Sequence, residues 1–213
     1  MSLQKLTYHS PLYVSYFSIP EKSYSDKINW YESHFKQIQS LNDKAKTHID
    51  LDYTLSLFHV GRYHQYISQV DTLIEKVISE NIVEVDGKDI YQQLLFCKAA
   101  CYYNTNQVEQ SLHILLELCK MDKTNKVYKS FCSKVLRLSS YRKFDRLKGV
   151  ALGMILVALV IIIAEIILVR TIMTSYIEVV ELSRNVLLGF AFILLAFNEW
   201  KLQSYIKSKI TGH

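Results

Sequence analysis

The sequence predicts an all-α protein in two parts: antiparallel helical hairpins, then two C-terminal transmembrane helices. Three observations carry this. The 213 residues include only two Pro and six Gly, too few for a loop-rich or all-β fold. Apolar residues recur at spacings of three and four from Ser25 onward, the period of an amphipathic helix. Finally, Gly149 to Val169 reads GVALGMILVALVIIIAEIILV, with a single charge at Glu165. At about 1.5 Å per residue, such a helix crosses a hydrocarbon core of roughly 30 Å.

Taken in order, residues 1–24 form an aromatic arm that Pro11 and Pro20 are expected to keep irregular. Tyr8, Tyr13, Tyr16 and Phe17 favour packing on the domain or on a partner, with a disordered arm as the other reading. No secretory signal opens the chain, so residues 25–148 are expected to be a cytosolic helical domain. Its first helix is predicted from Ser25 or Asp26 through Ala45 on the stripe Ile28, Tyr31, Phe35, Ile38, Leu41. A second runs from Ile49 to Val60 and ends at Gly61; a third covers Tyr63 to Glu80. Val85-Asp86-Gly87-Lys88 is a turn, Asp-Gly supplying the positive φ. Helices four to six are expected over Ile90–Tyr103, from Val108 to near Asp122, and from Asn125.

Paired helices with short breaks prompt a search for an internal repeat. Helix two, Gly61-Arg62-Tyr63 and helix three match helix four, Asn106-Gln107-Val108 and helix five at an offset of 45 residues. From Ile49 to Asp122 this pattern resembles the tetratricopeptide repeat family. Ala99, Tyr102 and Ser111 stand at family positions of the second unit, Asp122 near its closing turn, and Gly61 and Tyr63 at the inter-helix turn of the first. Tyr66 and Thr54 depart from the small residues the family prefers, and the offset exceeds its repeat of about 34 residues. A plain antiparallel bundle gives a similar stripe. The resemblance implies a concave face that binds a peptide or partner helix. Its first-helix positions are Leu51, Leu55, Phe96 and Ala100. All are uncharged, so the groove is expected to take an apolar partner helix rather than a terminal carboxylate.

Before the first apolar stretch come Lys134, Arg137, Arg142, Lys143, Arg146 and Lys148, opposed by Asp145. Directly beside a crossing, such a run marks a cytoplasmic flank and favours anionic headgroups; its position points to a membrane rather than nucleic acid. In the first crossing, 149–170, fourteen Leu, Ile and Val residues contribute roughly −6 kcal/mol to insertion, against roughly +3 for one central carboxylate. After a connecting segment, 171–185, the apolar run Val186 to Phe197 becomes long enough to cross when extended over 186–206, with Trp200 and Tyr205 at the interface. A helix lying in the interface is the competing reading. The tail, 207–213, is basic, so both termini are expected on the cytoplasmic side.

Catalytic signatures are missing. There is no Gly-rich phosphate loop, nucleophile elbow or HExxH, so neither an enzyme nor a cofactor is expected. His59 and His64 flank a turn and read as surface residues. Asp50 and Asp52 read as carboxylates at a helix start. Cys97, Cys101, Cys119 and Cys132 read as buried thiols in a reducing compartment, against a metal site at Cys97 and Cys101. Glu165 is the residue whose cost demands a reason: a pair with Arg170 or Arg184, an oligomer contact, or an ion or proton site. Gly149 and Gly153 have the spacing of a small-residue packing motif. The functional expectation is a membrane-anchored adaptor for a protein partner. The alternative is an accessory or pore-forming subunit of an oligomeric transport complex, including a homo-oligomer built through the membrane helices.

Overall fold

The computed structural model describes residues 10–82, 84–85, 87–169 and 177–211. Among the described residues the chain is all-α apart from one two-residue strand pair, and it divides into two compact units, Met1–Val135 and Leu136–His213.

In the first unit, α1 spans Pro11–Phe17, α2 Tyr24–Ile38, α3 Asp43–Val60 and α4 Tyr63–Ser79. Strands β1 (Glu84–Val85) and β2 (Lys88–Asp89) pair antiparallel. They precede α5 (Ile90–Asn104), α6 (Val108–Met121) and the start of α7 (Lys126–Ala164). The arm is therefore not irregular throughout. Pro11 occupies the first turn of α1, where it sets φ and forfeits no hydrogen bond, and Tyr16 is fully buried in the core.

The break between the first two long helices falls earlier than predicted, at 39–42 instead of after Ala45. α2 starts at Tyr24 after Ser23, and α3 begins anew after Asn42. The Asn42 carboxamide oxygen accepts from the Ala45 N–H at 2.9 Å, satisfying a donor that an N-terminal turn leaves open. Asp50 and Asp52 consequently lie in the interior of α3, not at its start.

The repeat is visible in the way helices end. Gly61 has φ +85°; the Arg62 N–H donates to Leu57 O at 2.9 Å and the Gly61 N–H to Phe58 O at 3.1 Å. Asn106 has φ +62°, with Gln107 N–H to Tyr102 O at 2.8 Å and Asn106 N–H to Tyr103 O at 3.1 Å. Every residue of the second set lies 45 positions after its counterpart. Both are Schellman ends, which require a left-handed residue. α4 closes the same way at Asn81, φ +54°. Between α4 and α5 stands the β1–β2 hairpin, whose turn has Gly87 at φ +76°.

Tyr66, bulky where the resemblance calls for a small residue, packs inside the unit. It is fully buried and its hydroxyl donates to Leu94 O at 2.9 Å, reaching from α4 to α5. Ser111, 45 residues later, donates to Ala99 O at 2.8 Å. Equivalent positions thus place a hydroxyl on a carbonyl of α5. Around Tyr66 the core gathers Ile49, Leu57, Val70 and Leu94.

In the second unit, α7 continues to Ala164, a π-helical turn covers Glu165–Val169, and α8 spans Ile177–Thr211. Two windows, Leu147–Ile167 with mean hydropathy 3.0 and Glu178–Ile210 with 1.8, are long and apolar enough to cross a membrane. Their large side chains, among them Leu156, Val160, Phe192 and Ile193, are exposed, unlike those of a soluble core helix. α8 extends the second apolar run in both directions. The part of the connecting segment at 171–176 and the tail at 212–213 lie outside the described residues.

Buried positions recur at seven residues on α7 and into the turn, Ala151, Ala158 and Glu165, and on α8 at Ala191 and Asn198, which Leu202 and Ile206 follow at spacings of four. That spacing lets helices supercoil, and alanine allows close backbone approach. Gly149 and Gly153 are not part of this seam: both are exposed, and a Cβ at either would meet nothing within 4 Å.

Candidate functional site

The first unit has an open cleft of about 530 Å³ bounded by α2, α3 and α4. It is lined by Tyr31 and Phe35 from α2, Asp50 and Tyr53 from α3, and Thr72 and Lys76 from α4, among others. The Tyr31 and Tyr53 rings stack with centroids 3.7 Å apart. Asp50 accepts from the Tyr31 hydroxyl at 2.8 Å and from Lys76 Nζ at 3.1 Å.

Asp52 lies two residues on and points to other partners, since alternate positions on a helix diverge. It accepts from Tyr16 at 2.8 Å and pairs with Lys27 at 3.0 Å, joining α1 and α2 to α3. Lys27 is buried, so this pair stands among core side chains. Burial, and next the neighbouring aspartates, push the Tyr16 and Tyr31 hydroxyls far up, so both remain protonated donors. The arrangement combines stacked aromatic rings, an ion pair and protonated hydroxyls.

The predicted groove residues are placed differently. Leu51 is 4% exposed and belongs to the core, and Leu55 packs against it. Phe96 meets Tyr128 and Phe131 of α7 at 5.4 and 5.7 Å, and Ala100 is half-buried. The open cleft is therefore not the surface made by these four positions. Its own residues escaped sequence reading because they come from three helices, and Asp50 looked like a helix cap.

Cys97, Cys101, Cys119 and Cys132 are free and buried. Burial pushes Cys97, Cys101 and Cys132 up to about 12 and raises Cys119, which keeps the nucleophilic thiolate scarce. Among the described residues, no three His, Cys, Asp or Glu side chains converge as a metal site. His59 is exposed and stacks on Tyr24 with centroids 4.3 Å apart, and His64 is exposed.

In the second unit, Glu165 is 1% exposed and Arg184 Nη1 donates to its Oε2 at 2.6 Å. Arg184 is thus one partner of Glu165; Arg170 lies outside the described residues. Glu165 opens the π-helical turn, a distortion that often accompanies a polar insertion in a helix. Elsewhere in the unit Arg137 Nη2 donates to Glu199 Oε1 at 2.5 Å. Asn198 is fully buried, and among the described residues neither its amide nitrogen nor its oxygen has a hydrogen-bond partner.

Of the basic run, Lys134 belongs to the first unit, where its Nζ lies 5.0 Å from the Tyr103 ring centre. Lys148 is half-buried; the side chains of Arg142, Lys143 and Arg146 lie outside the described residues.

Fold and site together define a class: a helical protein with repeated hairpin packing and two apolar C-terminal helices. No family model matches the chain, and neither a curated protein nor a solved structure matches it.

Proposed function

We propose that this protein is a membrane-anchored adaptor. A helical unit of tetratricopeptide type holds a partner protein, and a C-terminal hairpin spans the bilayer with both termini cytoplasmic. The observation that carries the reading is the pair of long helices with exposed apolar side chains, joined to a unit that has an open cleft. The Schellman ends repeated at 45 residues support the repeat assignment. The basic run before Leu147 supports the orientation. The cleft's stacked tyrosines and paired charges suit a peptide segment better than the apolar helix expected from Leu51, Leu55, Phe96 and Ala100.

A photo-crosslinking residue in place of Phe35, which is half-exposed in the cleft, tests this in native membranes. A discrete adduct at Phe35, absent when the same residue replaces exposed Met121, supports the adaptor. Identical adducts at both positions contradict it.

One observation favours a second reading, a subunit of an oligomeric membrane complex. The buried, unpartnered Asn198 amide is costly in hydrocarbon and is the kind of group that membrane assemblies satisfy. Pairing of Glu165 with Arg184 weighs against Glu165 as a transport site. Loss of assembly in Asn198→Leu, with Phe35 crosslinking retained, would favour the complex.

A further inference from the structure

The last third of α8 differs from the rest of it. Beyond Phe197 it carries Lys201, Lys207 and Lys209, all exposed, while Asn198, Leu202 and Ile206 line its buried face. The Arg137–Glu199 bond joins residues 62 apart in sequence. Within the second unit it brings the basic part of α7 and this end of α8 to the same place. It also neutralises Glu199, the acidic residue of that α8 segment. By sequence α7 adds Arg142, Lys143, Arg146 and Lys148 against Asp145. Both helices thus carry cations next to exposed apolar surface, which includes Val150 and Leu152 on α7 and Phe197 and Trp200 on α8.

We propose that this end of the hairpin is a binding surface for anionic phospholipid headgroups, built jointly by α7 and α8. A cationic helix end beside exposed Phe197 and Trp200 fits a lipid, which offers phosphate and acyl chain together; nucleic acid offers no counterpart to the apolar side chains. Lysine stems lie along the hydrocarbon boundary while their ammonium groups reach the headgroups, and a tryptophan at that level takes the interface. The inference rests on the proposal that the hairpin lies in a bilayer.

Trp200, 67% exposed and next to Lys201, reports on this surface. The full chain and its Trp200→Phe variant are reconstituted in phosphatidylcholine vesicles; their difference in fluorescence isolates Trp200. A minor fraction of lipid is supplied as dibrominated phosphatidylserine or as dibrominated phosphatidylcholine, bromine being a contact quencher. We expect the serine lipid to quench at least about twofold more strongly near 0.1 M salt, with the preference lost near 1 M. The triple variant Lys201→Gln, Lys207→Gln, Lys209→Gln should lose most of it. Equal quenching by both lipids in the parent chain overturns the headgroup surface. An undiminished preference in the triple variant overturns the joint construction. Absence of quenching by either lipid instead removes Trp200 from the bilayer, and with it the membrane reading.

Discussion

Replacing Arg184 with Leu should be among the most damaging single changes in the second unit. The Glu165 side chain is 1% exposed and that of Arg184 20%, with Nη1 to Oε2 at 2.6 Å. Truncating the arginine leaves a carboxylate without its guanidinium where water is scarce. Breaking a buried pair from one side costs about 3–5 kcal/mol. Glu165→Gln keeps an oxygen that can accept from Arg184 and should cost about 1–2 kcal/mol. The double variant Glu165→Leu, Arg184→Leu removes both charges and should fall within about 1 kcal/mol of the parent, since apolar replacements of buried pairs are often neutral or stabilising. Unfolding in mixed micelles, titrated with dodecyl sulfate and followed by Trp200 fluorescence in a Trp30→Phe background, gives all three values. A single Arg184→Leu variant as stable as the parent, with no coupling in the cycle, would refute the ion pair as a clamp on the hairpin.

The first unit yields three further predictions. Gly61→Ala puts a Cβ at φ +85° and should destabilise by about 1–2 kcal/mol, whereas Asn106→Gly, at φ +62°, should be neutral or stabilising; chemical denaturation followed by circular dichroism separates them. Tyr16 and Tyr31 titrate higher when folded, first through burial and next through Asp52 and Asp50. A raised folded value means that their stabilisation is complete below the unfolded value, about 10, and is lost as pH rises through the folded one. Stability should therefore fall above about pH 10, and less steeply in Tyr16→Phe, as measured by denaturant midpoints between about pH 8 and 11. The buried thiols Cys97, Cys101 and Cys132 should resist iodoacetamide at neutral pH and react once the chain is unfolded, as counted by mass spectrometry; rapid labelling of the folded chain contradicts their burial.

Local signals and long-range ones were unequally legible in the sequence. Gly61 and Asn106 revealed the repeat because a helix end needs a left-handed residue at a fixed place. Hydropathy found both apolar helices, and the cost of a carboxylate singled out Glu165 together with Arg184 as one of its candidate partners. Helix starts were harder. Asn42 stands among polar residues without a break in the apolar stripe, and Pro11 begins a helix as readily as it interrupts one. That error carried forward, because Asp50 and Asp52 change meaning once α3 begins at Asp43. The cleft depends on Tyr31, Asp50 and Lys76 meeting from three helices, and no window of sequence contains that contact. Asn198 closed an apolar run in the sequence; only packing reveals that it is buried without a partner.

The central proposal is that the two apolar helices form a hairpin through a bilayer, with the helical unit and the C-terminal end of α8 on one side. Ser68, Ser183 and Ser204 are exposed and sit on α4, near the start of α8 and near its end; each is changed singly to Cys. A membrane-impermeant maleimide is applied to sealed native vesicles before and after permeabilisation. The account predicts that positions 68 and 204 label together and that 183 labels from the opposite face. Labelling of all three from the same face contradicts it.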